Sequence, residues 1–186
     1  IVWGQGDDAF DCDQAWTGTL DGFAYIAGAN SDHALELDGP EGDLEGSFTL
    51  RNGVLKGGMG EYCDLRSDVR CTLENLHFFN FSAESDFEFD NNTVSQNYLN
   101  GDINLSNITF DVSHLSEGNR TIGDIFSEQV EKDDNEVAIE DLLNILDTKP
   151  LDSSIALKNM NMTGYDVSSA FGGWTLSDAR GQLSDF

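Results

Sequence analysis

An eight-residue pattern recurs along this chain and constrains its fold more than any other feature. Phe48-Thr49-Leu50-Arg51-Asn52-Gly53-Val54-Leu55 runs parallel to Cys71-Thr72-Leu73-Glu74-Asn75-Leu76-His77-Phe78. The same order returns in Ile103-Asn104-Leu105-Ser106-Asn107-Ile108-Thr109-Phe110 and in Ile155-Ala156-Leu157-Lys158-Asn159-Met160-Asn161-Met162. Each reads apolar-x-Leu-x-Asn-apolar-x-apolar, apart from Gly53. Thr19-Leu20-Asp21-Gly22-Phe23 is a variant with Asp21 in the Asn place. A short alternating strand that ends at Leu meets an Asn able to adopt the left-handed conformation, which turns the backbone sharply. A second short strand follows. Stacking such units places the Asn side chains above one another, where their amides can bond between rungs.

Self-similarity of this kind is the mark of a repeat architecture. The expected fold class is all-β, a right-handed parallel β-helix (solenoid), formed as a single domain over 1–186. A β-sandwich also alternates along its strands, but it does not need Asn at the same place in every unit. The turn residues are spaced by 31 from Asp21 to Asn52, then by 23, 32 and 52 to Asn159. Coils of about 20 to 30 residues with insertions fit that spacing. Between 122 and 150 the pattern becomes helical. Val137, Ile139, Leu142, Leu143, Ile145 and Leu146 form one apolar face, Asp133, Asp134 and Asn135 offer N-caps, and Pro150 lies beyond the end. One inserted α-helix is expected around 135–147, packed on its own domain.

Charge narrows the partners. The chain has 186 residues with 35 acidic and 9 basic side chains, a formal charge of -26. Nucleic acid demands a basic footprint and is excluded as a partner. No run of apolar residues is long enough to span a bilayer, so membrane insertion is not expected. Twelve Phe and three Trp supply a core and argue against disorder. Cys63 and Cys71 bracket a polar segment and can be read either as a loop-closing disulfide or as two buried thiols, with Cys12 left over. Asn-x-Ser/Thr sequons at Asn80, Asn91, Asn104, Asn107, Asn119 and Asn161 are weak signals in an Asn-rich chain.

The acidic residues concentrate near the N-terminus. In Asp7-Asp8-Ala9-Phe10-Asp11-Cys12-Asp13, four carboxylates fall within seven positions. If Phe10 and Cys12 face a core, Asp11 and Asp13 face outward together, and Asp7 and Asp8 sit at the preceding turn. Such a cluster suits a hard cation such as calcium. In Asp32-His33-Ala34-Leu35-Glu36-Leu37-Asp38-Gly39, inward Leu35 and Leu37 put Glu36 and Asp38 on the face of the metal cluster, with His33 beside it. Trp3, Trp16, Trp174 and Tyr25 are candidates to stack on sugar rings.

With repeat and cluster together, the chain resembles the right-handed parallel β-helix proteins. More narrowly it resembles the secreted family-nine pectate lyases of bacteria, in which an Asp-Asp-Gly-(Phe/Ile)-Asp run binds calcium and a Gly-Phe-Lys-Leu-Gly run carries the base. Asp7-Asp8-Ala9-Phe10-Asp11 matches the first run. The resemblance implies Asp7, Asp8 and Asp11 as calcium ligands, with Asp13 available to complete the shell. The family takes a further ligand from a preceding coil, so the chain is expected to be a fragment of a longer one. Glu36 stands where the family has its Lys. β-Elimination from a uronate needs a base and a positive charge to offset the substrate carboxylate, and Glu36 adds an anion instead. The chain is also similar in style to secreted or surface β-helix proteins of Bacteroidetes, which implies export. The expected function is therefore a secreted or cell-surface, calcium-stabilised module with a structural, adhesive or surface role rather than catalysis. Its expected partners are extracellular polysaccharide or cell-surface components. The alternative is a carbohydrate-active enzyme, a polysaccharide lyase or glycoside hydrolase, using Glu36 or Asp38.

Overall fold

The computed structural model describes residues 1–40, 42–115, 120–126 and 142–186. Among the described residues ten strands form two sheets, and every pairing is parallel. The six-stranded sheet takes β1 (Val2–Trp3), β3 (Gly18–Ile26), β5 (Phe48–Lys56), β7 (Cys71–Phe79), β9 (Ile103–Asp111) and β10 (Ala156–Leu157), in that order. The four-stranded sheet takes β2 (Phe10–Cys12), β4 (Leu35–Leu37), β6 (Cys63–Leu65) and β8 (Phe87–Phe89). Successive strands up to β9 thus alternate between sheets, and the core lies between them. Leu35, Leu37, Leu50, Leu55, Cys63, Leu65, Leu73, Phe78, Phe87 and Phe110 are fully buried there.

Five helices accompany the strands among the described residues. α1 (Asn92–Asn100) joins β8 to β9, α2 (Ile122–Ile125) and α3 (Leu142–Thr148) follow β9, and α4 (Val167–Phe171) and α5 (Leu176–Ala179) follow β10. α1 begins where the Asn91 side chain accepts from the backbone N–H groups of Thr93 and Val94. It ends at Gly101, whose left-handed backbone donates to the Asn97 and Tyr98 carbonyls. α4 and α5 belong to a C-terminal segment that covers part of the outer face of the six-stranded sheet, over the C-terminal half of its strands. Val167, Phe171 and Leu183 pack with Ala24 and Val54 there, and Phe186 meets Phe79 edge-on at 5.6 Å between ring centroids. Over the C-terminal half of its strands this sheet is thus buried on both faces, as parallel strands usually are, while Arg51, Glu74 and Asn104 on the first half are exposed.

These findings correct the expected fold class. Two separate all-parallel sheets with helices make an α/β-type arrangement; the described residues show no closed β-helix coil and are not all-β. The physical reason lies in the Asn positions. Asn52, Asn75 and Asn107 do adopt positive φ, 59°, 58° and 51°. The bend they make stays within a single nine-residue strand that pairs with its neighbours on both sides of the Asn, so each repeat contributes one long strand to one sheet rather than two walls of a coil. Of the helix expected around 135–147, residues 135–141 lie outside the described residues, as do the caps Asp133, Asp134 and Asn135. The helix from Leu142 onward is α3, with Ile145 buried in the core.

Register follows the repeat for three copies. Phe48 pairs with Cys71 and Cys71 with Ile103. The amides then link: Asn52 Nδ2 donates to Asp21 Oδ1 (2.6 Å), Asn75 Nδ2 to Asn52 Oδ1 (2.6 Å) and Asn107 Nδ2 to Asn75 Oδ1 (2.5 Å). Two copies depart. Asp21 pairs with Arg51, so Gly22 holds the left-handed place, with φ 77°. A Cβ on Gly22 would also meet the Tyr165 ring at 2.7 Å. The fourth copy is displaced, because Ala156 pairs with Thr109 instead of Asn104. Ser154 Oγ, not Asn159, takes the bond from the Asn107 N–H, at 2.6 Å.

Candidate functional site

The outer face of the four-stranded sheet is where the chemistry gathers. Each of its strands is an acid between two apolar residues: Phe10-Asp11-Cys12, Leu35-Glu36-Leu37, Cys63-Asp64-Leu65 and Phe87-Glu88-Phe89. The apolar pair anchors each strand in or against the core, and the alternation of side chains turns the acid outward. Parallel pairing sets Asp11 beside Glu36, Glu36 beside Asp64, and Asp64 beside Glu88. Neighbouring parallel strands lie about 4.8 Å apart. Two ionised carboxylates at that distance repel by roughly 3.5 kcal/mol at an effective dielectric near 20. A stack of four therefore needs protons or cations.

Part of the answer comes from Arg66, just past β6. It pairs with Glu36, reaches Asp64 Oδ2 at 3.4 Å and lies 3.9 Å from Asp38. Ser67 Oγ donates to Asp38 at 2.9 Å. A second answer is proton sharing. A hydrogen bond shared with Asp8, followed by burial and the Asp8 charge, lifts Glu36 to about 7 against the pull of Arg66. Burial first, and then Asp90 and Asp38, lift Asp64 to about 7, opposed by His33 and Arg66. Asp8 moves the other way. Burial opposes its ionisation, but hydrogen bonds from Glu36 and from the His33 backbone and ring hold it below the usual range. His33 Nδ1 lies 2.7 Å from Asp8 Oδ1 and the His33 N–H donates to the same oxygen at 2.9 Å. Burial disfavours the imidazolium, yet the Asp8 hydrogen bond and the charges of Asp64, Asp32 and Asp8 raise its pKa overall.

The six residues marked in the sequence divide. Asp7 and Asp8 meet Asp32, and each of the three offers an oxygen within 4.8 Å of the others. Asp8 also meets His33 and Glu36. Asp11 is exposed at the sheet edge, its pKa raised by burial and by Asp13, Asp8 and Asp38. Asp13 is exposed beyond β2. Neither Asp11 nor Asp13 shares a ligating group with Asp7. Glu36 and Asp38 both face Arg66. Sequence reasoning missed Asp64, Glu88 and Arg66. Lys56, the basic residue nearest in sequence to the Gly57-Gly58 turn, is on the other sheet and pairs with Asp185 at 2.5 Å. Of the aromatic candidates, Tyr25 is buried and Trp174 is widely exposed.

The chain matches no family model, no curated protein and no solved structure. The motif likeness to family-nine pectate lyases thus rests on the Asp7–Asp11 run alone.

Other features are inert by comparison. Cys12, Cys63 and Cys71 are free thiols, and burial lifts Cys12 to about 11 and Cys71 to about 12. Cavities of about 330, 290 and 280 Å³ lie along β9, β10 and the C-terminal segment, away from the acidic face. Among the described residues no helix is long and apolar enough to cross a membrane.

Proposed function

We propose that this chain is an exported, calcium-stabilised module with a structural, adhesive or surface role, acting through its acidic face rather than by catalysis. The observation that supports this most is the meeting of Asp7, Asp8 and Asp32, an all-oxygen and largely exposed group at the rim of a sheet already crowded with carboxylates. Calcium prefers six to eight oxygen ligands and tolerates water among them. An acidic face meets an anionic polysaccharide or cell surface without repulsion only when a cation lies between them. Thermal unfolding with calcium and with a chelator tests the reading. Calcium at 100 times its dissociation constant should add about 2.7 kcal/mol, and Asp7→Asn should remove the gain. An equal midpoint in calcium and chelator would sink it.

One observation favours a second reading, a glycoside hydrolase. Glu36, raised to about 7 and so keeping a proton below neutral pH, adjoins Asp8, held ionised, and carboxylates with separated pKa values are the acid/base pair that glycosidic cleavage uses. Release of reducing ends from acidic or neutral polysaccharides, lost in Glu36→Gln, would establish it over the first. A polyuronate lyase is poorly served here, because Arg66 is already shared among Glu36, Asp64 and Asp38.

A further inference from the structure

Asp64 is the one acidic side chain among the described residues that is buried, with 6% of its surface exposed. Its Oδ2 faces Arg66 Nε at 3.4 Å. Its Oδ1 is buried and meets no hydrogen-bond donor among the described residues. A buried carboxylate oxygen without a donor is costly unless something positive reaches it. The sheet places Glu88 directly beside Asp64, and His33 comes in from the turn before β4. His33, Asp64 and Glu88 each offer a ligating atom within 4.8 Å of the other two.

The donor set is not one for calcium. Imidazole suits zinc, copper, iron and nickel, whereas calcium takes oxygen. The histidine is also held as metal-binding histidines are. Asp8 Oδ1 lies 2.7 Å from Nδ1 and accepts from it in the tautomer that carries the proton there, which is the tautomer that leaves the Nε2 lone pair for an ion. Donors about 2.0 to 2.2 Å from a zinc-class ion stand some 3 to 4 Å apart, so the three groups need to close only slightly. Three protein ligands leave coordination positions for water.

We propose that His33, Asp64 and Glu88 form a site for one divalent transition ion of the zinc class, with Asp8 as the positioning residue that holds the His33 ring. The ion joins β6 and β8 to the turn entering β4, and it satisfies the Asp64 oxygen that Arg66 leaves bare. This site differs from the calcium group in its ligands and in the ion it takes, and it stands if calcium binding fails.

Zinc, cobalt and calcium are titrated separately into the full chain by calorimetry, with cobalt absorbance as the report on coordination. One equivalent of zinc and a visible cobalt spectrum are expected. His33→Gln and Glu88→Gln should each weaken zinc by at least about tenfold to a hundredfold and remove the cobalt spectrum. Asp64→Asn should do the same where it folds, and His33→Gln and Glu88→Gln carry the test where it does not. His33→Gln should leave any calcium stabilisation intact, while Asp7→Asn should leave zinc binding intact. Zinc binding that is weak, spread over several equivalents, or unchanged in His33→Gln overturns the proposal and identifies nonspecific attraction to an acidic surface.

Discussion

On the six-stranded sheet Asn52, Asn75 and Asn107 stack in register; on the four-stranded sheet Asp11, Glu36, Asp64 and Glu88 do. Both stacks follow from parallel pairing, which sets like residues side by side. The amides answer the stacking themselves, since each carries a donor and an acceptor and passes a bond to the next rung. The carboxylates cannot, since ionised acids only accept. They recruit Arg66, two of them (Glu36 and Asp64) hold protons up to about pH 7, and one Asp64 oxygen meets no donor among the described residues. A stack that completes itself reads as structure, and one that needs an outside proton or cation reads as a site.

The most disruptive test moves the chemistry of one stack into the other. Asn75→Asp deletes the donor to Asn52 and to the Thr163 carbonyl and puts a charge where amides met. At about 1 kcal/mol for each lost bond plus the repulsion, a loss of about 3 kcal/mol is expected, lowering the melting midpoint by roughly 6–12 °C in a thermal scan. The comparison sharpens with pH. Glu36 and Asp64 have folded pKa values raised above those of the unfolded chain, so they bind protons more tightly when folded. Stability should therefore fall as pH rises from about 4 through 7. His33, also raised, adds stability below its unfolded pKa that is lost later, as pH rises through its higher folded pKa. In chelator, the protein should be less stable at pH 8 than at pH 5 by about 2 kcal/mol. Asp64→Asn should flatten that slope in denaturant titrations, and a divalent ion should restore the loss at pH 8.

Removing the cation that the acidic stack has already recruited has a smaller effect. Arg66→Gln should cost about 1–2 kcal/mol at pH 8, because the guanidinium is part-exposed and screened, and less at pH 5, where the acids hold protons. Equal losses at the two pH values would mean that Arg66 acts by packing. Lys56→Ala, which cuts an exposed pair with Asp185 on the amide-bearing sheet, should cost under about 1 kcal/mol by urea unfolding.

Much of the amide side was legible in the sequence. The spacing of Asn52, Asn75 and Asn107 anticipates their left-handed backbone and their ladder, because a local turn requirement and a periodic position coincide there. The displaced copy at Ile155–Met162 was not legible, since β10 is fixed by what fits against Thr109 and Phe110 rather than by its own resemblance to the motif. Helix α1 hid in polar composition, although Asn91 and Gly101 are ordinary cap signals. The acidic side was read in part. Asp8 and Glu36 stand out in dense runs, whereas Asp64 and Glu88 sit in three-residue strands too short to show a period. The signal available for them is the triplet itself, an acid between two apolar residues, which falls once before each of the four nine-residue strands.

The rungs of the amide ladder join residues 31, 23 and 32 apart in sequence. Closing a loop of 32 rather than 23 residues costs only about 0.3 kcal/mol more, less than thermal energy. Loop length therefore gives no rung a decisive head start in folding. Each must be paid in closure entropy before its amides and core residues return anything, so the chain is expected to refold slowly for its size. Where it begins is decided by apolar side chains, and β5 with β7, which share the shortest loop and bring Leu50, Leu55, Leu73 and Phe78 together, is the pair best placed to start.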